Sequence, residues 1–263
     1  MSNPTVVVTG ASRGLGAATA RLVAQLGANV ILMARSRDSL ETVVQEIEDK
    51  GGQALAVPGD VSQPEDCRRV IRRSIERFGG IDGLVNNAGI LEPIGCIAEA
   101  EAKAWHENWA VNVLGPVLMC QAALPHLRAR KGRVVNVSSG AAVNAIEGWG
   151  AYCLAKAAVN HLTRMLAAEE LDVTSISLRP GVVDTEMQGT IRRQGAQGMP
   201  EEVYARFVRY HQEGELLPPE VPGSALAVLA LHAPHEWSGA FMPWDHEEVQ
   251  SLVRRYAWSG GGA

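Results

Sequence analysis

Thr5-Val6-Val7-Val8-Thr9-Gly10-Ala11-Ser12-Arg13-Gly14-Leu15-Gly16 is the stretch on which the fold turns. A β-branched run makes a short strand, and three glycines follow at the spacing G-x3-G-x-G. From Leu15 to Leu26 small and apolar residues recur at helical spacing, with Gly27 as the stop. Gly10 permits a tight turn, Gly14 lets the backbone approach a diphosphate, and Gly16 lets the helix pack closely on the sheet. The helix that opens here offers free N–H groups and the positive end of its dipole. The spacing differs from the G-x-G-x-x-G fingerprint of most dinucleotide folds, and glycine turns also occur where nothing binds. Its meaning comes from its place between a strand and a helix.

Working outward, the alternation continues. Asn29 to Ala34 is the next strand, and Ser39 to Lys50 an amphipathic helix stopped by Gly51-Gly52. Ala54 to Val57 is a third strand, Gln63 to Phe78 a helix with Pro64 near its start, and Gly83 to Asn86 a fourth strand. Two helices are expected at 99–110 and 110–130, then strand Arg133 to Val137, helix Ala151 to Leu171 and strand Thr174 to Leu178. Strands that are apolar on both sides and separated by helices imply a parallel sheet covered on both faces. The fold class is therefore α/β: a Rossmann-type doubly wound sheet in three αβα layers, with ligands at the carboxyl ends of the strands. One domain is expected over 1–258, followed by a flexible tail at 259–263. Residues 184–220 break the rhythm with Gly189, Gly195, Gly198 and Pro200, which reads as a mobile flap over the site or as an ordinary surface insertion.

Composition narrows the function. With 263 residues, 46% hydrophobic and a net charge of -5, the chain suits a globular domain and gives no electrostatic case for nucleic acid. Cys67, Cys96, Cys120 and Cys153 lie far apart without ligand spacing, which reads as four reduced, mostly buried thiols in a reducing, cytoplasmic compartment. Neither a signal sequence nor an apolar run of about 18 residues for a membrane span is expected. The seven histidines form no HxH or HExxH pattern, so no metal is expected.

The second strand ends Met33-Ala34-Arg35, where an NAD site usually places a carboxylate for the ribose hydroxyl. Arg35 and Arg13 instead suit a 2′-phosphate, because guanidinium groups donate paired hydrogen bonds to phosphate oxygens. The competing reading is two solvated arginines; NADP(H) is the cofactor expected. Asp60 in Gly59-Asp60-Val61 either accepts from the adenine amino group or caps the next helix. Asn86-Asn87-Ala88-Gly89 ends the fourth strand, its small residues letting backbone lie against the adenosine ribose while Asn86 ties neighbouring strands.

Tyr152 and Lys156 are spaced i, i+4 and share one helix face, with Ser139 thirteen residues before the tyrosine at a strand end. An ammonium close by favours the phenolate, and lowering a phenol from near pH 10 by about 3 units takes roughly 4 kcal/mol, expected as the sum from Lys156 and the cofactor's positive nicotinamide ring. Tyr152 then acts as general acid for ketone reduction or as base in reverse. Ser139 donates to the carbonyl oxygen as charge develops there. Taken alone, Tyr-x-x-x-Lys is more often a surface pair; with the glycine loop and Ser139 it gains force.

These motifs resemble the single-domain short-chain dehydrogenase/reductase family along almost the whole chain. The likeness runs from Thr9–Gly16 through Asp60-Val61, Asn86–Gly89, Val135–Ser139, Tyr152-x-x-x-Lys156 and Pro180-Gly181. It implies that Ser139 rather than Ser138 is catalytic. It also implies that Asn112, in Val111-Asn112-Val113, kinks its helix and holds a water beneath the lysine, where the plain alternative is a mid-helix asparagine bonding back to a carbonyl. Pro180-Gly181-Val182-Val183-Asp184-Thr185 resembles the loop that grips the nicotinamide carboxamide, with Thr185 also open to reading as a helix cap. The implied cofactor set is thus Gly10, Ser12, Arg13, Gly14, Leu15, Gly16, Arg35, Asp60, Val61, Asn87, Ala88, Gly89, Tyr152, Lys156, Pro180, Gly181, Val183 and Thr185.

A closer likeness is to benzil reductases, a branch related to sepiapterin reductase. It rests on Asn87–Pro93, Gly148-Trp149, Pro180–Met187 and Leu216-Leu217-x-Pro219. It implies NADPH-dependent reduction of one carbonyl of an aromatic diketone. The position of the pterin-anchoring carboxylate falls on Pro243, with Asp245 two residues on, which argues against a pterin. Leu91, Val143, Trp149 and Met187, with Ile94, Met199 and Phe207, are expected to line an apolar substrate pocket or else to be core. The family's habit of pairing through helices implies a homodimer or homotetramer. Two other functions stay in view: an NAD(P)-dependent alcohol dehydrogenase working oxidatively, and a catalytically silent NADP(H)-sensing regulator.

Overall fold

Successive side chains on a strand point to opposite faces, and the first two strands are apolar on both. In β1 (Thr5–Thr9) Val6 and Val8 enter one core layer and Val7 the other. In β2 (Asn29–Ala34) Val30 and Leu32 join the first layer, Ile31 and Met33 the second. A computed structural model, which describes residues 3–257, covers both faces with helices. The first layer takes α1 (Gly14–Gln25), α2 (Arg37–Glu48), α9 (Glu220–His232) and α10 (Glu247–Ala257). On the other face lie α3 (Pro64–Phe78), α5 (Gly115–Arg130) and α6 (Gly150–Glu169).

The remaining strands are β3 (Gln53–Pro58), β4 (Gly83–Asn86), β5 (Arg133–Val137), β6 (Thr174–Arg179) and β7 (Phe241–Pro243). All seven run parallel in the order β3-β2-β1-β4-β5-β6-β7. The order reverses between β1 and β4, so the chain leaves these neighbours in opposite directions and opens a crevice at their carboxyl ends. A buried polar line braces the sheet beneath that crevice. Asn86 Nδ2 donates to Asn136 Oδ1 at 2.9 Å, Asn136 Nδ2 to Thr163 Oγ1 at 2.9 Å, and Thr163 and Ser177 share a hydroxyl contact of 2.6 Å. Asn86 thus ties β4 to β5, as read from its position.

Three features differ from the sequence reading. The helices expected at 99–110 and 110–130 are one continuous rod: α4 (Ala102–Trp109), a π turn at Ala110–Leu114, then α5. Counted whole, Ala102–Arg130 has 29 residues and is long and apolar enough to cross a membrane by length and composition, although no such stretch was expected. Its Met119, Cys120, Ala123 and Leu127 are packed into the second core layer, which accounts for that apolarity. Beyond residue 220 the sequence reading placed no elements, but α9, β7 and α10 complete the first layer. In α9 buried residues occur on nearly every side, which erases the 3.6-residue period that marks a surface helix.

The segment 184–220 is built of α7 (Glu186–Gly198) and α8 (Glu201–Gln212), packed over the crevice through a third apolar cluster. Two of its glycines serve close approach. A side chain at Gly195 would meet the Tyr204 ring, and one at Gly198 the Ile94 carbonyl. The tail at 259–263 lies outside the described residues.

Candidate active site

The glycine loop is held from below. Gly10 and Gly14 have φ of 64° and 53°, the left-handed region that other residues rarely adopt. A Cβ on Gly16 would run into the Gly10 carbonyl oxygen and the Asn87 side chain, so α1 sits against the loop only with glycine there. Thr9 Oγ1 accepts from the backbone N–H groups of Asn87 and Ala88, both at 3.0 Å, and Asn87 Nδ2 donates to the Thr9 carbonyl at 2.9 Å. Sequence reasoning passed over Thr9, and it gave Asn87 a backbone role while its amide clamps the loop.

One cleft of about 1690 Å³ runs across the carboxyl ends of the strands. It exceeds the 300–1,000 Å³ of ordinary small-ligand pockets. Of the expected cofactor residues, Gly10, Ser12, Arg13, Gly14, Leu15, Gly16, Arg35, Asp60, Val61, Asn87, Ala88 and Gly89 border it. So do Pro180, Gly181, Val183 and Thr185. Arg13 and Arg35 are exposed along it, with Ser36 and Ser39 beside them. Asp60 does not cap α3. Its Oδ1 accepts from Ser62 N at 2.9 Å and Ser62 Oγ at 2.8 Å, closing a local turn at the cleft edge. Thr185 occupies the N-cap position of α7 without a capping bond from its hydroxyl, and its methyl faces Gly14.

At the inner end stand Ser139, Tyr152 and Lys156. Ser139 follows β5 and caps a single 3-10 turn, its Oγ accepting from Ala141 N at 3.1 Å. Tyr152 and Lys156 lie one turn apart on α6, both buried, and Lys156 Nζ is 5.5 Å from the phenol ring centre. Lys156 Nζ donates to the Val137 carbonyl at 2.7 Å. In the protein alone, burial dominates both groups. Burial pushes the Tyr152 phenol up to about 12, a hydrogen bond with Ser139 opposing it. Burial likewise brings Lys156 down to about 8. Desolvation disfavours the charged form of each, the phenolate and the ammonium.

Asn112 sits in the π turn. Its Nδ2 donates to the Ile90 carbonyl at 2.8 Å and to Asn108 Oδ1 at 2.9 Å, and its Oδ1 accepts from Ile90 N at 3.0 Å. The amide therefore pairs with the loop after β4 and with the Asn108 side chain one turn back, not with a backbone carbonyl of its own helix. Asn108, missed in the sequence, reaches the Glu92 carbonyl at 2.7 Å and completes the clamp. Asn112→Ala leaves these buried partners unsatisfied and is expected to cost about 2–4 kcal/mol, read as a lower midpoint in urea unfolding.

The substrate side is partly as expected. Trp149 and Met187 border the cleft beside Tyr152, together with Phe207. Trp149 meets Tyr152 edge-on with ring centres 5.9 Å apart and lies 4.7 Å from Phe207. Leu91 and Val143 do not border it: Leu91 is 1% exposed inside the core, and Val143 is 62% exposed to solvent. Hydrophobicity alone marked both, and it does not distinguish cleft from core or surface. Of the cysteines, Cys67 and Cys120 are buried, Cys153 half-buried and Cys96 exposed, against the expectation of mostly buried thiols for that last residue.

Comparison with known proteins agrees with this geometry. Residues 4–196 match the family described as short chain dehydrogenase. An uncharacterized oxidoreductase of Schizosaccharomyces pombe is 39% identical, with 91% of this chain and 95% of that one covered. The (S)-benzoin-forming benzil reductase of Saccharomyces cerevisiae is 34% identical over 93% of this chain and 97% of its own. An alcohol dehydrogenase of the archaeon Thermococcus sibiricus, solved with 5-hydroxy-NADP, superposes with a TM-score of 0.77 at 30% identity, covering 91% and 95% of the two chains.

Proposed function

The chain belongs to the short-chain dehydrogenase family and is an oxidoreductase acting on small molecules; from that premise we propose that it is an NADPH-dependent carbonyl reductase for hydrophobic, aromatic ketones or 1,2-diketones. The observation that carries the reading is one cleft holding the glycine loop at one end and Ser139, Tyr152 and Lys156 at the other.

The residues present fit a phosphorylated dinucleotide. The loop leaves no side chain where a diphosphate would lie at Gly14, and Arg13 and Arg35 face the cleft with no carboxylate ending β2. Bound there, the dinucleotide supplies the hydride. Ser139 donates to the substrate oxygen, Tyr152 delivers the proton to the nascent alkoxide, and Lys156 offers its ammonium to the ribose hydroxyls. Asn112 holds the 89–92 loop in place and is a positioning residue of the proton path.

Four cysteines without disulfide partners support a reducing, cytoplasmic setting. Exposed Trp109, Leu114, Leu154 and Met165 on α4, the π turn and α6 support a homodimer or homotetramer.

Turnover of benzil with each nucleotide tests the reading. NADPH should serve better than NADH. Replacing the Arg35 guanidinium removes a charged hydrogen bond worth about 1.5–3 kcal/mol, so Arg35→Asp should shift the NADPH/NADH ratio of kcat/KM about 10- to 100-fold toward NADH. Equal use of both nucleotides by the parent would defeat the phosphate assignment. Tight NADPH binding without turnover of any ketone or alcohol would make the chain a sensor.

A further inference from the structure

We propose that Arg192 and Gln188 on α7, with Arg206 on α8, form a subsite for a carboxylate carried by the substrate at the far end of a flat ring from its reacting carbonyl. The inference rests on the carbonyl-reductase reading and names the substrate class of that same cleft.

Gln188 and Arg192 are four residues apart and therefore share one face of α7. Both border the cleft. Gln188 is 7% exposed, and its side-chain oxygen is buried without a hydrogen-bond partner. A half-turn of the terminal amide exchanges oxygen and NH2, so the same spot can offer a donor. Arg192 Nη1 is also buried and unpartnered, and no carboxylate in the described residues pairs with this guanidinium. The acid on the same helix, Glu186, is ion-paired with Arg193 and feels the Arg13 and Arg192 charges more weakly, without an ion pair to Arg192. Asp184 and Asp245 border the cleft from the loops after β6 and β7.

Buried polar groups left unpaired on the wall of a binding cleft are costly, and a ligand group that pairs with them recovers that cost. A carboxylate satisfies both. It accepts paired hydrogen bonds from a planar guanidinium and a third from an amide.

The distance to the reacting centre is spanned by rings. From Tyr152 the centres run 5.9 Å to Trp149, 4.7 Å to Phe207 and 5.9 Å to Tyr210. Arg206 stands over Phe207 at 5.3 Å, at the outer part of this wall. A flat substrate lying along it, carbonyl at Tyr152, presents its opposite end toward Arg206, and α7 brings Gln188 and Arg192 to the same cleft.

The probe pair is 4-acetylbenzoate and its methyl ester, which differ only in the anionic group. In steady-state reduction by NADPH, kcat/KM for the acid should exceed that for the ester by tenfold or more. Arg192→Gln and Arg206→Gln should erase the ratio by raising KM for the acid, with the ester's values and NADPH affinity unchanged. A binding arm is independent of turnover: with NADP⁺ bound, calorimetry should show the acid binding more tightly than the ester, and Arg192→Gln should abolish the difference. Equal binding of acid and ester by the parent overturns the subsite, as does weaker NADPH binding in Arg192→Gln, which would reassign the guanidinium to the nucleotide. Preferential binding of the acid with no reduction of it, its ester or benzil keeps the subsite and defeats the reductase reading.

Discussion

Tyr152→Phe lowers kcat for NADPH-dependent ketone reduction by about 10²–10⁴-fold, a far larger effect than any on NADPH affinity. The variant removes one oxygen from a ring that stays packed edge-on against Trp149, so the aromatic wall survives. What is lost is the proton. The phenol is 7% exposed, and burial lifts it to about 12, so it is the acid form that stands ready at neutral pH. The sign follows for the parent enzyme. A group that releases its proton only near pH 12 imposes no loss of reductive kcat through its own titration across the neutral range, whereas the oxidative rate should rise with pH as the phenolate becomes accessible. Stopped-flow reduction of benzil by parent and variant at several pH values checks both statements. Parent-like turnover in the variant would remove Tyr152 from the chemistry.

Lys156→Met should abolish most activity, by about 10²-fold or more, with little change in thermal stability. Two opposing costs produce that outcome. The ammonium is 5% exposed, and burial brings it from 10.5 to about 8. Below pH 8 the folded protein therefore bears a desolvation cost on the order of 3 kcal/mol, which Met relieves. Against this, Met deprives the Val137 carbonyl of its 2.7 Å donor, a loss of about 1–3 kcal/mol. The two nearly cancel, so the midpoint at pH 7 should move by only a few degrees. Between about 8 and 10.5 the folded lysine is neutral while the unfolded one is still charged, so the unfolded state binds more protons and stability rises with pH. Parent measured against variant across that range should therefore gain stability. A fall of the variant's midpoint by more than about 10 °C would show that the ammonium stabilises the fold instead.

The alternation of strands and helices up to residue 178 was legible because each strand is short, β-branched and bounded by glycine or a capping residue, as at Thr5–Thr9 and Asn29–Ala34. The positions of Ser139, Tyr152 and Lys156 were legible because one helical turn and one strand end fix them. What escaped depends on the third dimension. A π turn leaves no mark in composition, so Ala102–Arg130 read as two helices. Thr9 and Asn108 act through backbone groups some 79 and 16 residues away in the chain, a separation that no local pattern records. Leu91 and Trp149 are both large and apolar, yet only one borders the cleft, because burial against a core and burial against a ligand look alike in a sequence. Spacing likewise reveals the ammonium one turn from the phenol but not the depth of the pocket, and so not the upward push of burial on Tyr152 in the protein alone.

The division of labour between sheet and overhang has an evolutionary reading. Every group that handles a proton is rooted in β5, the π turn or α6, whereas Met187, Gln188, Arg192, Arg206 and Phe207 all hang from α7 and α8. Drift in the two overhanging helices can therefore retune which molecules are accepted while the reactive machinery stays intact, so new selectivities are reachable by steps that never pass through an inactive ancestor.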